Sequence, residues 1–474
     1  MFKKNDVLEI EITDQGTTGE GIGKVSGYTL FVKDTVIGDV AKVKVMKAKK
    51  NYAFARLVEI VKPSKYRVEP LCPVAKSCGG CQLQAMNYQQ QLKFKQEKVF
   101  NNIRRIGGVE DFVMKPIMGM EELCVKGHEE NGPFHYRNKA LDAGTTSNRC
   151  ILFNKEGKII SGFYAGRTHS IISVNDCLLG TGVNKTVMDI VKMYMTLEGV
   201  KPYDEVTHKG VVRHVLIREG KHTGQVMVCI IINGDKLPQV DRLVEQLLKV
   251  SGMTDISLNI NKEKSNVILG DKIINLYGPG YIEDYIGDVK FRISPLSFFQ
   301  VNPVQTEKLY SKAMEYAKLT GSETVWDLYC GIGSISLFLA KNARKVIGVE
   351  IVEPAVEDAK VNARINNIEN VDFISGAAED VVPEYFQKHK GAPECNPDVI
   401  VVDPPRKGCD EKLLNTMVLM APKRIVYVSC DSATLARDIK WLSDKGYKLV
   451  EATPCDMFGQ SVHVETVALL VQNL

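Results

Sequence analysis

The opening stretch alternates apolar and charged positions. Val7-Leu8-Glu9-Ile10-Glu11-Ile12 and Ala41-Lys42-Val43-Lys44-Val45 put the two kinds of side chain on opposite faces of a strand. Tyr28-Thr29-Leu30-Phe31-Val32 and Ala53 to Ile60 are rich in β-formers, and Gly16, Gly19, Gly21, Gly23 and Gly27 punctuate the turns. Short strands with glycine turns predict a small β-barrel over residues 1–61. Pro63 and Pro70 mark a linker, and Tyr88 to Arg105 reads as a helix. Between about 112 and 285, short β runs such as Val211 to Ile217 and Gln225 to Ile232 are separated by glycine and asparagine turns. This predicts a mixed α+β central domain over 62–290. From about 291 the pattern changes to strand, glycine loop and helix, repeated: Val325-Trp326-Asp327-Leu328, Lys345 to Glu350, Val399 to Asp403 and Arg424 to Val428 are apolar strands with helical runs between them. Alternation of this kind predicts a Rossmann-like, doubly wound parallel sheet over 291–474, and the chain as a whole is α/β.

A chain of 474 residues exceeds what one hydrophobic core serves, in keeping with three domains. With 44% hydrophobic and 25% charged residues it has globular composition, which excludes disorder, collagen and coiled coil. The longest apolar run, Val226 to Ile232, is too short to cross a bilayer, so no membrane partner is expected. No apolar signal core follows Met1-Phe2-Lys3-Lys4, and twelve cysteines are too sparse for a disulfide scaffold. A cytoplasmic protein with reduced, catalytic or metal-binding thiols is the expectation.

The net charge of +4 is uneven. Lys42, Lys44, Lys47, Lys49, Lys50, Arg56, Lys62, Lys65 and Arg67 face only Glu59 within residues 42–67. That local excess suits an anionic polymer; a solvated edge that discourages strand aggregation would look the same. The glycine-punctuated barrel pattern resembles the TRAM domain, an oligonucleotide-binding barrel of RNA-modifying enzymes, and the resemblance implies an RNA partner.

Four motifs stand at strand ends of the C-terminal region, three closing a strand and one opening one. In Asp327-Leu328-Tyr329-Cys330-Gly331-Ile332-Gly333-Ser334, Gly331 and Gly333 let the backbone turn sharply and approach a ligand. Glu350 ends the next strand, where an acid accepts hydrogen bonds from ribose hydroxyls. The third glycine of a dinucleotide fingerprint is replaced by Ser336, which favours a nucleoside cofactor without pyrophosphate, S-adenosylmethionine being the commonest. Asp403-Pro404-Pro405-Arg406 sets a carboxylate at a strand end on a stiff loop. Arg406 stands where amine methyltransferases carry an aromatic residue, which argues against amine methylation. Ser429-Cys430-Asp431 places a thiol before a helix, where the dipole favours thiolate. His463-Val464-Glu465 opens a late apolar strand.

A thiol, carboxylates and a methyl donor in one cleft suit one reaction. Uracil C5 is a poor nucleophile. Thiolate addition at C6 makes C5 able to attack a methyl sulfonium, and a base then removes the C5 proton so that the thiolate can leave.

These motifs, with Gln300 in Ser297-Phe298-Phe299-Gln300-Val301-Asn302, resemble the RNA (uracil-5-)-methyltransferase family, of the TRAM-bearing ribosomal-RNA type. The resemblance implies that Gln300, Tyr329, Gly331, Gly333, Glu350 and Asp403 bind S-adenosyl-L-methionine, that Cys430 is the nucleophile and that Glu465 accepts the proton. One departure is Met457-Phe458-Gly459-Gln460-Ser461, where the family usually has proline after phenylalanine and threonine later.

Cys72, Cys78 and Cys81 are spaced for metal, as three ligands that need a fourth. On spacing alone, zinc and iron–sulfur stand level. The family resemblance implies Cys177 as fourth ligand of a [4Fe-4S] cluster in the central domain. Cys124, Cys150, Cys229, Cys395, Cys409 and Cys455 lack such spacing and read as packing residues, and Cys330 as a residue of fitting size. His135-Tyr136-Arg137-Asn138-Lys139 resembles an RNA-facing family segment, joined by Phe163-Tyr164 and Arg167-Thr168-His169-Ser170.

The expected activity is S-adenosylmethionine-dependent methylation of uracil C5 in 23S ribosomal RNA, giving 5-methyluridine. The same chemistry on transfer RNA is the alternative. No protein partner is implied. A different class of reading, an RNA-binding iron–sulfur redox protein with a vestigial methyltransferase domain, is opposed by the presence of both Cys430 and Glu465.

Overall fold

The computed structural model describes residues 2–140, 150–154, 157–164, 171–174, 176–265 and 267–473, with backbone only at 150–153 and 164. The expected RNA contacts Arg167 to Ser170, and the side chains of Tyr164 and Cys150, lie outside the described residues.

Strands β1 (Val7–Gln15), β2 (Gly21–Val25), β3 (Tyr28–Lys33), β4 (Val40–Ala48) and β5 (Tyr52–Lys62) close a barrel in the order β1-β2-β3-β5-β4. The alternation explains it: Ile10, Ile12, Leu30, Val32, Ala41, Val43 and Val45 turn inward as its core, and the lysines between them turn outward. Gly23 is required by close approach, since a Cβ there would lie 2.4 Å from the Glu11 carbonyl oxygen. Arg67 departs from the expected basic face: it is paired at 2.6 Å with the buried Asp39 and ties the linker to the barrel.

Helix α1 (Tyr88–Arg105) starts at Asn87, whose side chain accepts from the Gln90 amide at 2.9 Å. Beyond it β6 (Val113–Met114) pairs with the last sheet of the molecule. The segment 88–114 thus packs on the C-terminal region although it precedes the central one in sequence.

The central sheet has the order β13-β12-β11-β10-β7-β8-β9. It is formed by β7 (Cys150–Phe153), β8 (Ile159–Tyr164), β9 (Ile171–Ser173), β10 (Val212–Glu219), β11 (Val226–Ile232), β12 (Met253–Ile260) and β13 (Lys272–Tyr277). Helices α2 (Val183–Leu197) and α3 (Val240–Leu247) cover one face, packing Val187, Val191 and Leu243 on Val228, Ile230 and Leu258. A hairpin, β14 (Ile282–Ile286) and β15 (Val289–Ile293), leads to the C-terminal region.

There α4 (Pro303–Ala317), α5 (Ser334–Ala340), α6 (Glu353–Ile365), α7 (Ala378–Lys388), α8 (Glu411–Met420) and α9 (Ser432–Ser443) alternate with β16 (Thr324–Leu328), β17 (Lys345–Glu350), β18 (Val371–Ser375), β19 (Val399–Val402) and β20 (Arg424–Ser429). The chain ends in β21 (Tyr447–Cys455) and β22 (Glu465–Gln472). The order is β18-β17-β16-β19-β20-β22-β21-β6. The first five strands are parallel, as the alternation predicts, whereas β22 enters antiparallel between β20 and β21. Both faces are buried, which is why these strands are continuous apolar runs. Strand order reverses beside β16, so the carboxyl ends of β16 and β19 open the crevice where such sheets bind ligands.

Candidate active site

The glycine loop leaves β16 at that crevice. Tyr329 takes a left-handed backbone (φ 69°) while its amide donates to the Val349 carbonyl at 2.9 Å. Gly333 (φ 79°) precedes α5, where a Cβ would lie 2.9 Å from the Phe373 ring. Glu350 ends β17 and accepts from the Gly331 amide at 3.0 Å through Oε2 and from the Val352 amide at 2.9 Å through Oε1, so the acid is anchored to the loop. Asp327 is fully buried, and burial pushes its carboxyl up to about 7. Its Oδ2 accepts from the Ser336 hydroxyl at 2.5 Å. Asp327 Oδ1 and Tyr329 Oη are buried without a hydrogen-bond partner among the described residues. Unsatisfied buried polar atoms call for a polar ligand. Glu350 at the end of β17 and the glycine turn after β16 stand at the carboxyl ends of the strands, a donor set and a close backbone approach that fit the ribose of S-adenosylmethionine.

Asp403 follows β19, with its amide donating to the Leu328 carbonyl at 3.2 Å. Burial pushes its carboxyl up to about 7. Gln300 is buried on the segment before α4, its carbonyl accepting from the Asn138 side chain at 3.2 Å.

Cys430 and Glu465 come together through strand register. Ser429, the last residue of β20, pairs with Thr466 of β22. Cys430 and Glu465 therefore stand next to that last pair, at the carboxyl end of β20. Burial pushes the Cys430 thiol up to about 12, with the charges of Glu465 and Asp403 adding to the effect and Arg406 opposing it. Burial also pushes Glu465 up to about 8, with Asp403 adding and Arg406 opposing. Arg406 is exposed and makes no hydrogen bond or ion pair among the described residues. Asp431 caps α9, accepting from the Ala433 amide at 2.9 Å and the Thr434 amide at 3.2 Å.

Several residues at this site escaped the sequence reading. Lys98 of α1 donates to the Val462 carbonyl at 3.0 Å, and Asn102 donates to the Ser432 hydroxyl at 2.9 Å. They reach 364 and 330 residues along the chain, for which no local pattern exists. Tyr310 Oη shares a hydrogen bond with Ser334 Oγ at 2.9 Å, and its hydroxyl is influenced by Asp403, Asp327 and Glu465.

Cys72, Cys78, Cys81 and Cys177 line one cavity, together with Phe163, Val174 and Leu179. Burial raises the thiols of Cys72, Cys78 and Cys81, the last to about 12, and the charge of Cys177 adds to each. As the side chains stand, no group of three or more His, Cys, Asp or Glu among the described residues could hold a metal ion. Four thiols round one cavity are the donor set that either a [4Fe-4S] cluster or a single zinc ion takes. Cys229, Cys330, Cys395, Cys409 and Cys455 are buried, and Cys124 is half-buried beside the cavity wall.

The expected RNA-facing segments are placed differently. Tyr136, Arg137 and Asn138 are buried, with Tyr136 Oη donating to the Gly459 carbonyl at 2.9 Å. Phe163 is buried in the wall of the cysteine cavity. Among the described residues of this group only His135 is exposed, and its ring shares a hydrogen bond with the Gly180 carbonyl at 2.8 Å. Their polar atoms are used between segments, which a one-dimensional pattern of polar residues does not reveal.

A doubly wound sheet with acid-ended strands and a glycine turn at the switch point defines a methyltransferase of the Rossmann-like class, here joined to a small barrel. Residues 272–473 match the model of the tRNA (uracil-5-)-methyltransferase family, and residues 2–58 that of the TRAM domain. An uncharacterised RNA methyltransferase of Clostridium tetani is 46% identical over 469 residues, covering 99% of this chain and 97% of the relative. Another, from Halalkalibacterium halodurans, is 47% identical over 468 residues, covering 98% and 97%. The solved tRNA (uracil-54, C5)-methyltransferase of Pyrococcus abyssi, in complex with S-adenosyl-L-homocysteine, is 28% identical, with a TM-score of 0.74 over 98% of this chain and 99% of that one. The chain belongs to the RNA (uracil-5-)-methyltransferase family and carries its TRAM domain. It is an S-adenosylmethionine-dependent RNA methyltransferase acting on uracil C5.

Proposed function

We propose that Cys430 and Glu465 carry out this methylation as nucleophile and proton acceptor on a uridine of structured RNA, giving 5-methyluridine. The observation that carries the reading is their meeting at the β20–β22 edge, beside Asp403. The target base leaves its stack to reach them. The Cys430 thiol gives its proton to solvent and the sulfur bonds to C6, opening the C5–C6 double bond and moving negative charge toward C5. S-adenosylmethionine, when bound, supplies an electrophilic methyl group to that carbon. Glu465 then takes the C5 proton, and the C6–sulfur bond breaks as the ring double bond is restored. A carboxyl held near 8 suits a base working at neutral pH. Gln300, Tyr329, Gly331, Gly333, Glu350 and Asp403 hold the cofactor in this reading.

The barrel supplies RNA affinity. Phe31, Tyr52 and Phe54 form an outward cluster with ring centroids 5.6–5.8 Å apart. Phe54 lies opposite Phe31 and near Lys47, and Lys33 opposite Arg56, on the same strands. Aromatic faces rimmed by cations suit bases and phosphates.

The cytoplasmic 23S ribosomal RNA is our first candidate substrate. Transfer RNA is the second, favoured by the near-complete coverage of a transfer RNA enzyme. Mapping 5-methyluridine in both RNAs from cells with and without the protein separates them: loss at a 23S position supports the first, loss in transfer RNA the second. Loss in neither refutes the proposed substrates.

For the cysteine cavity we propose a [4Fe-4S] cluster held by Cys72, Cys78, Cys81 and Cys177. Such a group would cross-link segments nearly a hundred residues apart.

A further inference from the structure

The connection from β21 to β22 runs from Asp456 to Val464 and delivers Glu465 to the sheet edge. Its centre is Gln460. This residue has no exposed surface and adopts a left-handed backbone (φ 67°), a conformation costly to any residue but glycine. Strain of that kind persists only where surrounding contacts over-determine it.

The contacts are there. Gln460 and Gln91 of α1 exchange hydrogen bonds: the Gln91 side-chain amide donates to Gln460 Oε1 at 3.1 Å, and the Gln460 backbone amide donates to Gln91 Oε1 at 3.2 Å. Gln460 Nε2 donates to the carbonyls of Asn131 at 2.6 Å and Pro133 at 3.4 Å. The Gln460 carbonyl accepts from the amides of Gln82 at 2.9 Å and Leu83 at 3.0 Å, the residues just after Cys81. Every polar atom of the residue is used, and three segments remote in sequence converge on it. Its neighbour Gly459 is equally constrained, since a Cβ there would lie 2.6 Å from Pro133 Cγ.

We propose that Gln460 is a positioning residue for the reaction: it locks the connection to the cysteine segment and α1, and so fixes Glu465 against the substrate carbon. The proposal rests on the reading of Glu465 as proton acceptor. It predicts a defect confined to the step after methyl transfer, because neither Cys430 nor the glycine loop is held by Gln460.

The test is Gln460→Gly, which keeps the left-handed backbone accessible and removes only the side-chain bonds, compared with Glu465→Gln in the full chain. RNA and S-adenosylmethionine are added, and covalent protein–RNA adduct is counted after quenching in denaturant. The expected result is unchanged cofactor affinity, adduct formed at the wild-type rate, and turnover slowed at least tenfold so that adduct accumulates. Wild-type turnover without accumulation overturns the proposal. So does joint loss of cofactor binding and adduct formation with a lowered Tm, which would mark Gln460 as a folding residue alone. If Glu465→Gln itself accumulates no adduct, the base assignment fails and the proposal falls with it. If Glu465→Gln accumulates adduct and Gln460→Gly does not, only the positioning role fails.

Discussion

The charge of Glu465 bears directly on Cys430: after burial it is the largest influence keeping the proton on that thiol. The two groups face each other across the end of the Ser429–Thr466 pairing. Two negative charges there are costly, so the sulfur's charge and the carboxylate's charge are separated in time. Bond formation to C6 neutralises the sulfur, after which an ionised Glu465 is tolerated.

Replacing Cys430 with Ala should abolish methyl transfer while leaving S-adenosylmethionine affinity within about twofold, because the proposed cofactor residues lie before α4, in the loops after β16 and β19 and at the end of β17, not on the loop after β20. Calorimetric titration beside a tritium-release assay checks both. Turnover at the wild-type rate would remove the covalent mechanism.

Glu465→Gln should lower turnover by about 10²- to 10⁴-fold, the usual contribution of a general base. Protein–RNA adduct stable to denaturant should build up. Release of methylated RNA at the normal rate would refute the assignment.

Asp327, Asp403 and Glu465 are held by burial near 7, 7 and 8, against ordinary values of 3.8, 3.8 and 4.5. The folded protein then binds more protons than the unfolded chain between those limits, so rising pH favours unfolding. Their stabilising effect is complete below the ordinary values and lost as pH passes the raised ones. Thermal melts of ligand-free protein should show Tm falling between about pH 5 and 8, and Asp327→Asn should flatten that slope. An equally steep slope in the variant would show that Asp327 is ionised in the fold.

Lys95 and Asp456 form an ion pair with neither side chain exposed, and Tyr88 donates to the same carboxylate at 2.9 Å. Lys95→Met leaves that charge buried and should cost about 3–5 kcal/mol. Lys95→Met with Asp456→Asn should recover part of the loss. Denaturant titration of both single variants and the double variant measures the coupling, and a double-variant loss equal to the sum of the two single losses would mean that the pair is not coupled.

Cys78→Ser should remove the visible absorbance and the iron of anaerobically purified protein if the four thiols hold a cluster. Unchanged iron content would disprove ligation by Cys78.

Much of the catalytic half was legible because its motifs close strands. Asp327, Glu350, Asp403 and Cys430 each follow an apolar run, and such runs in alternation with helices have their carboxyl ends on one side of the sheet. From its local pattern Glu465 was legible as the start of a strand, and its role came from the family resemblance. That it meets Cys430 depends on β22 entering antiparallel beside β20, which no local period specifies. Tyr136 and Asn138 were misjudged for a related reason: a polar residue buried with a partner has the same letter as a solvated one.

By itself the sequence determined the elements: the barrel from its period of two, α1 from Tyr88 to Arg105, and the α/β alternation, because hydrophobic period and turn residues act on neighbouring backbone. Spacing left Cys177 unconnected to Cys72, Cys78 and Cys81, and only the family resemblance joined them; tertiary structure puts all four on one cavity and alone decided that Gln460 is gripped by Gln91 and the cysteine segment. Those contacts join residues about a hundred to nearly four hundred positions apart. They form only when packed elements bring the segments together, and each is held by burial and hydrogen bonding that no local spacing encodes.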